Sequence, residues 1–131
     1  MASRIALIVE DNVELGTIYA AALESADFEI EHIMDGRKAL ERLEEFVPAL
    51  IILDMNLPHV SGHYIYKKVR ADERFLNTPV IIATANALIA DALGGEIAPT
   101  DKLMIKPVSP SQLRTTAQAM YKQAQASKPN G

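Results

Sequence analysis

The sequence predicts an α/β protein whose five-stranded parallel sheet is doubly wound, with helices covering both faces. Three observations lead to this fold class. Short apolar runs rich in branched side chains alternate five times with longer segments in which apolar residues recur at helical spacing. The inner runs are apolar at every position, as expected for strands that are buried on both faces. A helix between successive strands favours right-handed crossovers, which place helices on both sides of a parallel sheet.

The predicted strands differ in how much of each is buried. The third runs through Leu50 to Leu53 straight into Asp54, and it is predicted to be buried on both faces. The second alternates apolar and acidic residues, which is typical of a half-buried strand at the edge of a sheet. The predicted strands are Arg4 to Val9, Phe28 to Ile33, Ala49 to Leu53, Val80 to Ala83 and Lys102 to Ile105.

Several predicted helices follow a polar residue that can cap a free helix end. Asn12 or Asp11 precedes the first helix, and Asp35 precedes the second. The strongest start is Ser109-Pro110-Ser111-Gln112, where Ser is the cap and Pro takes the first helical position. The fourth helix is unusually apolar and stops at Gly94-Gly95. The predicted helices span about Val13 to Ala26, Gly36 to Phe46, His63 to Ala71, Asn86 to Leu93 and Pro110 to Ala124.

Size and composition are typical of one compact domain. The chain has 131 residues, of which 49% are apolar, with a net charge of −4 and no cysteine. The absence of cysteine excludes disulfides and cysteine metal sites, and no basic face indicates nucleic acid as a direct partner. No apolar run approaches the roughly 18 residues of a membrane span, and no signal-peptide pattern opens the chain. We expect a soluble, cytoplasmic protein with one domain over residues 1–126 and a disordered tail over residues 127–131.

Four of the five predicted strands end in a polar functional group. Because the carboxyl ends of parallel strands meet at one edge of the sheet, these groups can converge there. Three clustered carboxylates repel one another unless a cation lies among them, and oxygen donors suit a hard ion such as Mg²⁺ or Mn²⁺. An ammonium and a hydroxyl beside them would receive phosphoryl oxygens. The groups are Glu10-Asp11, Asp54, Thr84 and Lys106.

Asp54 is the candidate nucleophile of this predicted site. A carboxylate at its centre can attack phosphorus and form an acyl phosphate. Each residue alone has a plainer explanation, since Asp54 or Glu10-Asp11 could cap a helix and Lys106 could be a solvated surface lysine. The Lys106-Pro107 bond is a candidate cis peptide, because a tight turn there would aim the lysine back at the site.

Taken in order, these motifs resemble those of the receiver domain of two-component response regulators. The similarity extends over about Arg4 to Ala124. It implies a flavodoxin-like (βα)5 fold with strand order 2-1-3-4-5. The matching motifs are Glu10-Asp11, Asp54 followed by Leu57-Pro58 and Gly62, Thr84-Ala85, and Lys106-Pro107.

The resemblance implies a phosphoacceptor and its metal site. Asp54 would take a phosphoryl group from a phosphohistidine on a sensor histidine kinase or a His-phosphotransfer protein. Mg²⁺ would be held by Glu10, Asp11, Asp54 and the backbone carbonyl of Asn56. The domain would catalyse only its own phosphorylation and dephosphorylation, so we do not expect an enzyme in the usual sense.

The resemblance also implies a switch. Lys106 would pair with the phosphoryl group, and Thr84 would move toward it. Asn56 and Asn86 lie where flanking residues tune the rate of dephosphorylation. Leu103 departs from the family pattern, because a Tyr or Phe usually stands three residues before the lysine. The usual inward turn of a ring cannot operate. Leu103 could still report through packing, or the output surface could be permanently exposed or permanently buried.

Two further departures concern the predicted output face. The fourth helix is short and apolar, and Pro99 stands near a usual glycine. We hypothesise that the face built from the fourth helix, fifth strand and fifth helix is adapted for a homodimer or an unusual partner. No DNA-binding segment follows the last predicted helix, so we expect a stand-alone receiver whose output is contact with an unidentified protein. A receiver cut from a larger protein, such as a hybrid kinase, is the alternative.

Other classes of protein fit the sequence less well. A receiver-fold scaffold that signals without phosphorylation is kept open by Leu103. A haloacid-dehalogenase-like enzyme would carry an acid two residues after the nucleophile, where this chain has Asn56. A nucleotide-binding Rossmann domain would have a glycine-rich turn after the first strand. His59 and His63 are spaced for a zinc site but lack an evident third ligand, so we expect exposed loop histidines.

Overall fold

A computed structural model describes residues 4–127, and within that range the chain has the predicted α/β architecture. The strands are β1 Ile5–Val9, β2 Glu29–Ile33, β3 Leu50–Asp54, β4 Val80–Thr84 and β5 Lys102–Ile105. The helices are α1 Val13–Glu24, α2 Gly36–Glu45, α3 Gly62–Ala71, α4 Ala87–Gly94 and α5 Pro110–Ser127. All strand pairs are parallel and the sheet order is β2-β1-β3-β4-β5, which confirms the predicted flavodoxin-like topology.

The apolar residues of β3 alternate between two core layers. Leu50 and Ile52 pack in the layer shared with α1 and α5. Ile51 and Leu53 pack in the layer shared with α2 and α3. Strand β3 pairs with β1 on one side and β4 on the other, and every residue of β3 and β4 is buried. This position explains the uninterrupted apolar run, whereas β2 is a half-buried edge strand as predicted.

The first helix ends at Glu24, short of the predicted Ala26. Asp27 adopts a left-handed backbone conformation with φ 68°. The N–H of Phe28 then donates to the carbonyl of Leu23 at 3.1 Å. A left-handed residue just past a helix is a common way for the helix to stop, and Asp tolerates that conformation better than most residues. The turn directs Phe28 into the core ahead of β2.

The last helix is longer than predicted. Helix α5 continues through Ser127, so that residue is helical, and the rest of the predicted tail, 128–131, lies outside the described residues. A short 3₁₀ turn, Glu73–Phe75, was not predicted. The Lys106-Pro107 peptide bond is cis, as predicted. No helix within residues 4–127 is long and apolar enough to cross a lipid bilayer.

Candidate functional site

The carboxyl edge of the sheet brings the predicted acids and the lysine together. Asp54 is the last residue of β3 and is 4% exposed, and Glu10, directly after β1, is 1% exposed. Lys106 follows β5, and its Nζ lies 2.8 Å from Oε1 of Glu10 and 3.2 Å from Oδ1 of Asp54. Asp11 is next to Glu10 and is exposed. One ammonium therefore bridges two buried carboxylates that come from different strands.

Burial and pairing together set the protonation of this cluster. Burial raises the pKa of Glu10 above its ordinary value, although hydrogen bonds from Lys106 and from the N–H of Asn12 oppose the shift. Burial alone would lower the pKa of Lys106, but its hydrogen bond to Glu10 and the negative charge of Asp54 outweigh that effect, and the pKa of Lys106 is raised. A lysine with a raised pKa is an ammonium at neutral pH. The site therefore contains a fixed positive charge beside its acids.

Three carboxylates at this edge form a group that could hold a cation. Glu10, Asp11 and Asp54 can each offer one oxygen, and these atoms all lie within 4.8 Å of one another. Within residues 4–127 no other group of three such ligands occurs. All the donors are oxygens, which fits a hard divalent cation such as Mg²⁺. Asn56 is exposed in the loop that follows Asp54, and the ligand role of its carbonyl stays a prediction.

The loop after β3 is held close to Asp54 by Gly62. The N–H of Gly62 donates to the carbonyl of Met55 at 3.1 Å. A Cβ at position 62 would overlap the backbone oxygen of Asp54 and lie 2.8 Å from Cα of Met55. His59 has a φ of 69°, and its Nδ1 lies 2.6 Å from Oδ2 of Asp35, the cap of α2. The loop is thereby tied to both β3 and α2.

Thr84 ends β4 and is fully buried. Its Oγ1 accepts from the N–H of Asn86 at 3.1 Å, and its carbonyl accepts from the N–H of Lys106 at 2.8 Å. Asn86 is the cap of α4, where its side chain accepts from the N–H groups of Leu88 and Ile89. Because Oγ1 of Thr84 accepts a hydrogen bond from Asn86, the hydroxyl proton of Thr84 is still available to be donated.

Leu103 lies half-buried on β5, opposite Ile82 of β4, against the core layer of α2 and α3. Two residues further on, Ile105 is 52% exposed, and Leu88 on α4 is 79% exposed. Large apolar side chains are therefore open to solvent on both α4 and β5. The output face built from α4, β5 and α5 itself stays a prediction.

His59 is an exposed loop residue as expected, but His63 lies in the first turn of α3 and is only partly exposed, and the two histidines contact different carboxylates. His59 pairs with Asp35, as described above, whereas Nε2 of His63 lies 2.8 Å from Oε2 of Glu96. Their spacing of four residues therefore does not bring them to a shared ligand group. Each pair instead connects the α3 end of the loop to another part of the fold.

Two contacts were not predicted from the sequence. Nε2 of His32, on β2, lies 2.8 Å from the backbone oxygen of Glu10. The hydroxyl of Tyr66 lies 2.7 Å from Oδ2 of the buried Asp101. Gly16 was a signal for the first, since a glycine inside a helix needs a packing reason. The second had no comparable signal, because the two residues are distant in the chain.

The fold and the acidic edge define a CheY-like class of α/β domain. The sequence profile of the response regulator receiver domain matches residues 6–118. The chain therefore belongs to the response regulator receiver domain family. This confirms the resemblance drawn from the motifs at the strand ends.

Curated relatives are longer proteins of the same family. The chain is 31% identical over 126 residues to response regulator Rre1 of Synechocystis sp. (strain ATCC 27184 / PCC 6803 / Kazusa), covering 95% of this chain and 54% of that protein. It is 33% identical over 117 residues to the phosphate regulon transcriptional regulatory protein PhoB of Rhizobium meliloti (strain 1021), covering 89% and 52%. The chain thus spans about half the length of the curated relatives it matches.

Solved structures share the fold closely. The receiver domain of sensor histidine kinase PA1611 from Pseudomonas aeruginosa PAO1 superposes with a TM-score of 0.79 at 29% identity, covering 92% of this chain and 99% of that one. That structure has a magnesium ion coordinated in its active site cleft. Chemotaxis response regulator CheY4 of Vibrio cholerae also superposes with a TM-score of 0.79, at 27% identity, covering 91% and 99%.

Proposed function

We propose that this chain is a phosphoacceptor domain in which Asp54 takes a phosphoryl group from a phosphohistidine. The donor would be a sensor histidine kinase or a His-phosphotransfer protein of a two-component phosphorelay. One observation carries the proposal: a buried carboxylate at the end of the central strand lies 3.2 Å from the ammonium of Lys106, in one cluster with Glu10 and Asp11. Membership of the receiver family supports the same function.

The proposed transfer is a substitution at phosphorus. A carboxylate oxygen of Asp54 forms the new O–P bond while the N–P bond of the phosphohistidine breaks, and the released imidazole nitrogen takes a proton from water. Lys106 would pair with a phosphoryl oxygen and stabilise its charge. The free hydroxyl proton of Thr84 makes it the donor that would move toward the same group. Attack by water on the acyl phosphate returns the carboxylate and inorganic phosphate, at a rate that Asn56 and Asn86 would tune.

Mg²⁺, or Mn²⁺ in its place, is the cofactor we propose for the acidic group. Glu10, Asp11 and Asp54 would hold it, with the backbone carbonyl of Asn56 as a further ligand. When bound, the ion supplies positive charge that offsets the repulsion among the carboxylates and the incoming phosphoryl group. The oxygen-only donor set supports this assignment, as does the magnesium ion in the PA1611 receiver domain.

The proposed output is a change in protein contacts rather than turnover of a substrate. The chain would catalyse only its own phosphorylation and dephosphorylation, in the cytoplasm. The exposed side chains of Leu88 and Ile105 support an output face on α4, β5 and α5, covered by a second copy or by an unidentified partner. Sedimentation at high concentration, with and without a phosphoryl mimic, tests the homodimer, and a monomer in both conditions would contradict it.

Intact-mass measurement after incubation with a small acyl phosphate and Mg²⁺ tests the phosphoacceptor. We expect one phosphoryl adduct on the wild-type chain and none on Asp54→Asn, which keeps the shape of the side chain but removes the nucleophilic oxygen. An undiminished adduct on Asp54→Asn, or no adduct on the wild type, would overturn the proposal.

Leu103 favours a second candidate, a receiver-fold scaffold whose output is partly independent of phosphorylation. Its half-buried aliphatic side chain offers no ring to turn between two positions. Comparing dimer or partner binding of wild type and Leu103→Tyr, each with and without the phosphoryl mimic, separates the two candidates. The scaffold predicts a response to the mimic that is weaker in the wild type than in Leu103→Tyr.

A further inference from the structure

His32 contacts the backbone of Glu10, one of the three acids of the candidate cation site, but it does not belong to that acidic group. Its Nε2 is 2.8 Å from the backbone oxygen of Glu10. Because a carbonyl oxygen can only accept, Nε2 carries the proton and donates it. On the other side of the same residue, the N–H of Glu10 donates to the carbonyl of Ile33 at 3.0 Å. The end of β2 therefore holds the Glu10 backbone at both its N–H and its carbonyl.

Gly16 makes room for the His32 ring. A Cβ at position 16 would overlap Cε1 of the imidazole and lie 2.5 Å from its Nε2 and 2.7 Å from its Nδ1. Gly16 is buried and lies inside α1, where glycine is less favourable than every residue except proline. Glycine therefore makes α1 less stable at position 16. The space that it leaves is filled by the ring of His32, whose Nε2 contacts the backbone oxygen of Glu10.

The Glu10 carbonyl belongs to the peptide unit that joins Glu10 to Asp11. That unit is planar, so a hydrogen bond that fixes its oxygen also fixes the direction in which the chain continues into Asp11. The side chain of Glu10 is restrained separately, because Oε1 accepts from Lys106 at 2.8 Å and Oε2 accepts from the N–H of Asn12 at 3.2 Å. The exposed carboxylate of Asp11 depends on the backbone for its placement.

We propose that His32 is a positioning residue for the divalent-cation site, and that Gly16 is the residue that admits it. The His32–Glu10 hydrogen bond holds the Glu10–Asp11 peptide in the orientation that lets both carboxylates face one ion. The proposal rests on the proposed function, because the ion is the one the receiver chemistry needs. Mg²⁺ demands near-ideal octahedral geometry, so a small rotation of this peptide lowers its affinity.

Titration with Mg²⁺ alone, followed by NMR chemical shifts without any phosphodonor, measures the effect. His32→Ala is expected to raise the Mg²⁺ dissociation constant about ten-fold, at the low end of what residues that orient metal ligands contribute. His32→Gln is the conservative variant, since its side-chain amide nitrogen reaches the position of the imidazole Nε2 and can donate. We expect it to restore most of the wild-type affinity.

Gly16→Ala displaces the ring without removing it, and it should also weaken Mg²⁺ binding. Gly94→Ala is the matched control: position 94 is also a helical glycine, but a Cβ there meets nothing within 4 Å. It should leave the affinity unchanged. In a His32→Ala background, Gly16→Ala should add no further loss, because the space that the ring filled is then open.

Thermal unfolding of each variant separates metal affinity from stability. A wild-type dissociation constant in a folded His32→Ala variant would overturn the positioning role, as would an equal loss in His32→Ala and His32→Gln. Failure of the wild type itself to bind Mg²⁺ would instead overturn the proposed function. The two failures are therefore distinguishable.

Discussion

Tyr66 on α3 donates a hydrogen bond of 2.7 Å to the carboxylate of Asp101, which directly precedes β5. The same hydroxyl accepts from the N–H of Ala98 at 2.9 Å. The other oxygen of Asp101 accepts from the N–H of Val80, the first residue of β4, at 2.9 Å. The buried pair thus ties α3 to the amino ends of β4 and β5, at the sheet edge opposite Asp54.

Tyr66→Phe should destabilise the fold by about 1–3 kcal/mol, because it leaves buried partners without their hydrogen bonds. The N–H of Ala98 loses its acceptor and Asp101 loses a donor. Urea unfolding measures the change. Tyr64→Phe is the matched control, since Tyr64 lies on the same helix but is 49% exposed, and it should be nearly neutral. Equal effects of the two substitutions would contradict the role of the Tyr66–Asp101 pair.

Tyr66 should also make the free energy of unfolding depend on pH in the alkaline range. Burial, together with the hydrogen bond to Asp101, raises the pKa of Tyr66 to about 12, above its ordinary value of 10.0. A group whose pKa is raised on folding stabilises the fold fully below the unfolded pKa and loses that contribution as pH rises through the folded pKa. The stability gap between wild type and Tyr66→Phe should therefore narrow from pH 10 toward pH 12. Urea unfolding over that range measures it, and a constant gap would contradict it.

The sequence was sufficient to predict the sheet because local and long-range signals agree. The runs around Leu50 and Val80 are apolar throughout, and they prove to be strands buried on both faces. The polar residues at the ends of β3, β4 and β5 indicated the site, because parallel strands place Asp54, Thr84 and Lys106 along one edge of the sheet. Those parts of the fold depend on periodicity and chain direction, both of which are visible in one sequence.

Contacts between distant residues were not predictable in the same way. His32 belongs to a predicted edge strand. Gly16 indicated close packing against α1, but the sequence does not show that the His32 ring fills this space or that it contacts Glu10. The end of α1 was missed because Asp27 takes a conformation that favours glycine. The role of Leu103 stays a prediction, because its half-buried position on β5 does not by itself define a switch.

Tyr19→Phe should keep or raise the stability of the fold. Tyr19 on α1 is 1% exposed, and within residues 4–127 its hydroxyl has no hydrogen-bond partner. Burying an unpaired hydroxyl is unfavourable, so its removal should increase the free energy of unfolding by up to about 1 kcal/mol. Urea unfolding tests this. A clear loss of stability would mean that the hydroxyl is paired, for instance by a buried water.

Gly62→Ala should disturb the site directly. The new Cβ would overlap the backbone oxygen of Asp54, and backbone atoms of a central strand cannot move aside cheaply. We expect a loss of about 1–3 kcal/mol in the free energy of unfolding, with reduced phosphoryl uptake from a small donor. Gly95→Ala is the control, because a Cβ there meets nothing within 4 Å. Comparable losses in both variants would show that the effect is not steric.

Lys106→Met should affect metal binding and phosphoryl uptake in opposite directions. Removing an ammonium that contacts both Glu10 and Asp54 leaves the acids without their counter-charge, so Mg²⁺ should bind roughly ten-fold more tightly. Uptake from a small acyl phosphate should be roughly 100-fold slower, because a preorganised positive charge for the phosphoryl oxygens is lost. Mg²⁺ titration and intact-mass time courses measure the two effects separately.

Lys102→Met is the control for this substitution, since Lys102 lies at the opposite end of β5 and is exposed. It should change neither the Mg²⁺ dissociation constant nor the rate of uptake. Weaker Mg²⁺ binding in Lys106→Met would mean that the lysine shapes the cluster sterically. Opposite shifts in affinity and rate are expected only if its charge competes with the cation before transfer and stabilises the phosphoryl group during transfer.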